Sequence, residues 1–158
     1  MSNYKPEYIE YRLSKAYEAL RDARVLSENG SWNACINRLY YTCYYAISAL
    51  LLKNGIVVKT HAGQITQFNQ HFVKTGIISK DFGRLYTNLM DWRQKGDYGD
   101  MFDFSGEVVK PIIEPVEHFL DEIARLLSSL SLTRQTNDQF IKYYLFIVHE
   151  APRRTKIT

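Results

Sequence analysis

Between Trp92 and Asp100 the chain runs Trp92-Arg93-Gln94-Lys95-Gly96-Asp97-Tyr98-Gly99-Asp100, a guanidinium followed by carboxylates and a phenol among glycines. On a persistent helix Arg93 and Asp97 stand one turn apart and form an ordinary surface ion pair, worth little. At a helix terminus the same guanidinium can instead grip a phosphate through two parallel N–H bonds. The residue types alone leave both readings open. A second group lies upstream, in Asn33-Ala34-Cys35-Ile36-Asn37-Arg38-Leu39-Tyr40-Tyr41-Thr42-Cys43-Tyr44-Tyr45-Ala46. Tyr40 and Tyr44, and likewise Tyr41 and Tyr45, are four residues apart, so two adjacent helix faces each carry a phenolic ladder. Such ladders suit a core or a dimer seam with hydroxyls at the rim, or contact with a ligand. Asn37 and Arg38 are either solvated or project into a groove.

Other chemistries find little support. His61, His71, His118 and His149 are scattered, and the paired Glu-x-x-His pattern of di-iron bundles is missing. Zinc spacing, a glycine-rich phosphate loop and a Gly-x-Ser-x-Gly elbow are missing too, so neither a metal nor a cofactor is expected. Cys35 and Cys43, eight apart on one helix, have backbones about 12 Å apart. A disulfide needs about 7 Å or less, so both read as buried thiols in a reducing compartment.

These residues need elements to position them. Ile9, Leu13, Ala16, Leu20, Ala23 and Leu26 step by three and four and predict a helix that stops at Asn29-Gly30. A second helix runs from an N-cap at Ser31 to Asn54-Gly55, with Ile36, Leu39, Tyr40, Cys43, Ile47, Leu50 and Leu51 on its stripe. The short link between them makes these two antiparallel neighbours. After the extended Ile56-Val57-Val58, Thr60 caps a shorter helix from His61, with Ile65, Phe68 and Phe72 on one side, interrupted at Lys74-Thr75-Gly76. The next runs from Ser79 through Phe82, Leu85, Leu89 and Trp92 and frays near Lys95-Gly96, so Asp97 to Asp103 is expected as a loop. A long last helix starts at Ser105 with Val108, Val109, Ile112, Val116, Phe119, Ile123, Leu126 and Leu127 inward; Pro111 and Pro115 are expected to kink or delay it. The fold expected is an all-α antiparallel up-and-down bundle, four main helices plus a short extra one, over residues 1–130. Residues 131–158 read as a tail whose aromatic segment Phe140 to Val148 is a docked helix or an added strand.

Length and charge bound the rest. The chain has 158 residues, 46% hydrophobic and 23% charged, an ordinary globular composition for one domain burying roughly 70% of its unfolded surface. The longest apolar run, Leu39 to Leu52, is short for a membrane span and carries tyrosines, and the N-terminus shows no leader, so a cytoplasmic protein without membrane contact is expected. Residues 1–130 hold 15 Lys/Arg against 15 Asp/Glu, and 131–158 hold 5 against 2. The body is neutral, and charge by itself does not imply nucleic acid.

The phrases Asn37-Arg38-Leu39-Tyr40-Tyr41 through Leu50-Leu51-Leu52, then Lys59-Thr60-His61-Ala62-Gly63, His71-Phe72-Val73-Lys74-Thr75-Gly76 and Arg93-Gln94-Lys95-Gly96-Asp97-Tyr98-Gly99-Asp100 follow one another in an order that resembles the HEPN (higher eukaryotes and prokaryotes nucleotide-binding) domains, especially the small stand-alone prokaryotic ones. The resemblance spans about residues 10 to 130. It implies a helical bundle, commonly a homodimer, encoded beside a nucleotidyltransferase partner as a toxin and antitoxin pair. Many members are metal-independent ribonucleases with an Arg followed, four to six residues on, by a His. Arg93 falls on that Arg, Gln94 stands where Asn is frequent, and Tyr98 occupies the His position. A phenol is a poor general base at neutral pH. The resemblance thus places Arg93 and Tyr98 at the catalytic positions and Asn37, Arg38, Tyr41, Gln94 and Asp97 at the binding ones. Three functions follow as expectations: an RNA- or nucleotide-binding protein working with a nucleotidyltransferase, a ribonuclease toxin, or a non-catalytic adaptor.

Overall fold

The computed structural model describes residues 6–129, and the tail expected at 131–158, with its docked helix or added strand, lies outside them. Five α-helices follow in order: α1 (Pro6–Glu28), α2 (Trp32–Lys53), α3 (His61–Phe68), α4 (Lys80–Tyr98) and α5 (Gly106–Ser129). There is no strand among the described residues, so the fold is the all-α bundle the periodicity predicts, with α3 as its short extra helix. The extended stretch 56–58 remains a connection.

Helix α2 is the central element, packed against α1, α3, α4 and α5. Its composition explains this. Leu39, Tyr40, Cys43, Ile47 and Leu50 are fully buried, and so are Thr42, Ala46 and Ala49; small residues beside large ones let several neighbours approach. Leu13, Ala16, Leu20 and Ala23 of α1 meet it on one side, and Leu89 of α4 with Val116, Phe119 and Ile123 of α5 close the core on others. Cys35 and Cys43 are buried free thiols, as their spacing requires.

The stop signals act as chemistry predicts. Gly30 and Gly55 adopt φ of 72°, the left-handed conformation that ends a helix with little strain. The Thr60 hydroxyl accepts from the Gly63 N–H at 2.9 Å, capping α3. Ser31, by contrast, stands at the N-cap position of α2 without a side-chain capping bond.

Three expectations need correction. The α3 helix does not run on regularly to Phe72: Asn69–Val73 form a π-helical turn, closed by the Lys74 N–H on the Asn69 carbonyl at 2.8 Å. Pro111 and Pro115 lie inside α5 and do not delay its start, which comes at Gly106; each removes one helical hydrogen bond, and the buried stripe from Val109 to Leu127 outweighs that loss. Most consequential for the site, α4 does not fray at Lys95-Gly96 but continues to Tyr98, so Asp97 is helical and not in a loop. Gly96 is a packing residue there. A Cβ on it would come within 3.3 Å of the Phe104 ring and 3.7 Å of Asn33, so its bareness lets α4 lie close to α2 and to the chain that follows.

Candidate functional site

The last turns of α4 lie against the tyrosine-bearing face of α2, and the first residue of α3 joins them. Arg93 is the centre. Its Cζ lies 4.8 Å from the Tyr40 ring centroid and 5.6 Å from that of Tyr41, and its Nη1 donates to the Tyr41 hydroxyl at 3.2 Å. No carboxylate among the described residues pairs with it, and its Nε is buried without a partner. The guanidinium therefore rests on π-faces, which attract it modestly, with no counter-ion to neutralise it. Nη2 makes no bond within the described residues and is not buried.

The ion pair between Arg93 and Asp97 allowed by their spacing does not form. Asp97 turns to α2 instead, where its Oδ2 accepts from Asn37 Nδ2 at 2.9 Å. Asn37 Oδ1 in turn accepts from Arg38 Nε at 3.1 Å and Nη2 at 2.7 Å. Arg38 Cζ lies 5.0 Å from the Tyr41 centroid. Two guanidiniums thus share one tyrosine ring, neither bonded to a carboxylate. Asp97 holds Arg38 only through the Asn37 amide.

Deeper in, a chain of hydrogen bonds begins at a main-chain carbonyl. The buried Gln64 donates its Nε2 to the Tyr44 carbonyl at 3.1 Å, which obliges its Oε1 to face the other way and accept from the Tyr86 hydroxyl. Tyr86 and Tyr40 stack with ring planes 6° apart and centroids 5.6 Å apart. The Tyr40 hydroxyl then meets His61 Nδ1 at 2.5 Å. Burial pushes the Tyr40 phenol up to about 12, against the smaller opposing effects of Tyr86 and of the Arg93 charge. Burial also raises Tyr86, so both stay protonated at neutral pH and act as hydroxyl donors.

His61 closes the arrangement. Its ring stacks on Tyr44 at 4.7 Å between centroids and meets Tyr41 edge-on at 6.3 Å. Burial lowers its pKa from the ordinary histidine value, and the nearby Arg93 charge lowers it further. The imidazole is neutral at pH 7.

Of the residues singled out from sequence, Asn37, Arg38, Tyr41, Arg93 and Asp97 are brought together within the chain. Gln94 and Tyr98 are exposed, and neither side chain bonds to another described residue; Tyr98 is 78% exposed at the end of α4. Sequence reasoning missed His61, Gln64 and Tyr86. The available signal was the Thr60 cap, which fixes His61 at the first turn of α3, together with a connection long enough to return that turn alongside Tyr44. It also missed Asn33, whose Nδ2 donates to the Phe102 carbonyl at 2.8 Å while its Oδ1 accepts from the Phe104 N–H at 2.8 Å, tying the segment after α4 to α2.

The arrangement offers two cations without acid partners, aromatic faces beside them and one neutral imidazole. That is chemistry suited to a phosphate carrying a flat base. Among the described residues no three His, Cys, Asp or Glu gather as a metal site, and no helix is long and apolar enough to cross a membrane.

The sequence model of the HEPN domain matches residues 9–127. A protein of Thermotoga maritima named as a UPF0332 protein is 41% identical over 128 residues, covering 81% of this chain and 97% of the relative. Two proteins of Methanocaldococcus jannaschii bearing the name "Putative toxin" are also similar. One is 33% identical, covering 78% of this chain and 92% of its own length; the other is 26% identical, covering 85% and 91%.

Proposed function

The chain belongs to the HEPN domain family, and from that membership we propose that it binds RNA or a nucleotide at the Arg93 groove as a toxin-like protein. The observation that carries this reading is the pair Arg93 and Arg38 on Tyr41, two guanidiniums with no carboxylate bonded to either. Guanidiniums without a carboxylate partner gain when an anion joins them, which supports a phosphate as the ligand.

Arg93 takes the phosphate, and Asn37 with Asp97 fixes the plane of Arg38 beside it. Tyr41 orients Arg93 through its hydroxyl. Gln94 and Tyr98 lie on the exposed side of the same helix end, where Tyr98 offers a ring for a base to stack on. The protein acts as a homodimer with a nucleotidyltransferase partner, in a toxin and antitoxin system. The toxin names of the Methanocaldococcus relatives and the family membership support this context.

The test is equilibrium binding of a fluorescently labelled single-stranded RNA, read by anisotropy. Wild type is expected to bind and Arg93→Ala to bind at least tenfold more weakly, with Arg93→Lys intermediate because the fork geometry is lost. Equal affinity in wild type and Arg93→Ala, or no binding by folded wild type, contradicts the reading.

A further inference from the structure

The segment between α4 and α5 carries an apolar surface that the described residues leave open. Met101 is fully exposed, and Phe102 and Val108 are exposed within the same short stretch. Met101 is also the one non-glycine among the described residues with a left-handed backbone, φ 56°, a conformation that costs energy in a residue with a side chain. The segment is nevertheless held in place. Phe102 packs its ring 4.9 Å from that of Phe104, and its carbonyl accepts from Asn33 Nδ2 at 2.8 Å. Apolar side chains fixed in water in this way mark a surface made for a contact.

The rim of that surface is acidic. Residues 97–107 hold Asp97, Asp100, Asp103 and Glu107 and no Lys or Arg. None of these carboxylates forms an ion pair among the described residues. The complement of such a face is a segment that is apolar and then basic. The chain contains one: Phe140 to Val148, followed by Arg153, Arg154 and Lys156, within the stretch 131–158 that holds the whole excess of positive charge.

Its reach and its charge register both fit. Helix α5 begins beside this surface at Gly106 and ends at Ser129, so it is about 35 Å long, while the steps from Ser129 to Phe140 cover about 36 Å when extended. On that return path Arg134 comes level with His118, between Glu114 and Asp121, and Asp138 comes level with Lys110. Lys110, Glu114, His118 and Asp121 line one open groove along α5. Each tail charge thus passes opposite charges on the helix.

We propose that residues 130–158 return along the α5 groove and that Phe140 to Val148 of the same chain cover Met101, Phe102 and Val108, with the basic end against Asp100 and Glu107. The same chain is the occupant because a linker whose length matches the span gives the highest effective concentration, above that of a second copy in dilute solution. The inference does not rest on Arg93 as a phosphate site.

The experiment places p-benzoylphenylalanine at Met101 in the full chain, whose side chain there is fully exposed. Unlabelled and ¹⁵N-labelled protein are mixed in equal amounts and irradiated, and the joined peptides are read by mass spectrometry. Position 101 is expected to join a peptide from 140–148, both halves carrying the same isotope. Asp100→Lys with Glu107→Lys should lower that yield by about twofold, and adding Arg153→Glu with Arg154→Glu should restore it. If the substituted chain does not fold by circular dichroism, the same group at Val108 decides by the same products. Joined peptides of mixed isotope overturn the inference by putting a second copy on the surface. Joining only within residues 6–129, no joining by folded protein, or a yield indifferent to the charge reversals overturns it as well.

Discussion

Two arginines on Tyr41 carry opposite kinds of information about the groove. Arg93 is gripped from below by Tyr40 and Tyr41, with its Nε inaccessible, so its position is set by packing. Arg38 is set by hydrogen bonds, its Nε and Nη2 both on Asn37 Oδ1. Removing Arg38 should therefore leave the fold intact and remove one phosphate contact. For Arg38→Ala we expect weaker binding to every RNA sequence alike, and a dependence of log affinity on log salt that is shallower by about 0.7. An unchanged salt slope would show that Arg38 does not meet the nucleic acid. At this scale the sequence was informative about Arg93, Asn37, Arg38 and Asp97, because type and spacing marked them. His61 was not legible: a lone histidine carries no pattern, and its partners Tyr40 and Tyr44 lie 21 and 17 positions upstream, on a different helix.

At the scale of elements, the groove depends on how α4 ends. Helical propensity predicts fraying at Lys95-Gly96, since glycine is a poor helix former. Packing reverses this, because Gly96 admits Phe104 and Asn33, and Asp97 finds its acceptor role only on a continuing helix. The stop comes at Gly99, where an added Cβ would lie 2.4 Å from the Lys95 carbonyl oxygen. Backbone cannot yield as a flexible side chain does, so Gly99→Ala should cost about 1–3 kcal/mol in thermal or urea unfolding and weaken RNA binding by displacing Asp97. Asn33→Ala removes the tie that holds the segment after α4, leaving the Phe104 N–H without its acceptor. A loss of about 1–3 kcal/mol is expected; stability unchanged within error would mean that water replaces the side chain fully. The apolar stripes and the Thr60, Gly30 and Gly55 boundaries were legible from local pattern. The π turn and the uninterrupted α5 were not, because both are settled by tertiary burial, which local sequence does not contain.

Across the whole molecule, charge is balanced in residues 1–130, so binding energy has to come from the local pair of arginines and from stacking rather than from a broad positive field. The salt dependence of RNA affinity should accordingly be shallow, a slope near −1.4 for about two single-strand phosphate contacts. A slope several times steeper would place the interface elsewhere. The toxin-like role makes a second whole-molecule prediction: expression of wild type should slow growth of a host cell, and Arg93→Ala at equal abundance should relieve it. The bundle itself was legible from periodicity alone, since five amphipathic segments joined by short links have few other ways to bury their stripes. What assembles with it was not, because partners leave no such period in the chain.

The measurement that tests the Arg93 groove most directly is a crystal structure with a short single-stranded RNA bearing 2′-O-methyl groups. A phosphate is expected within hydrogen-bond distance of the Arg93 guanidinium and beside Arg38, with Tyr41 beneath them. RNA ordered on another face of the bundle, with Arg93 still bonded only to the Tyr41 hydroxyl, would contradict it.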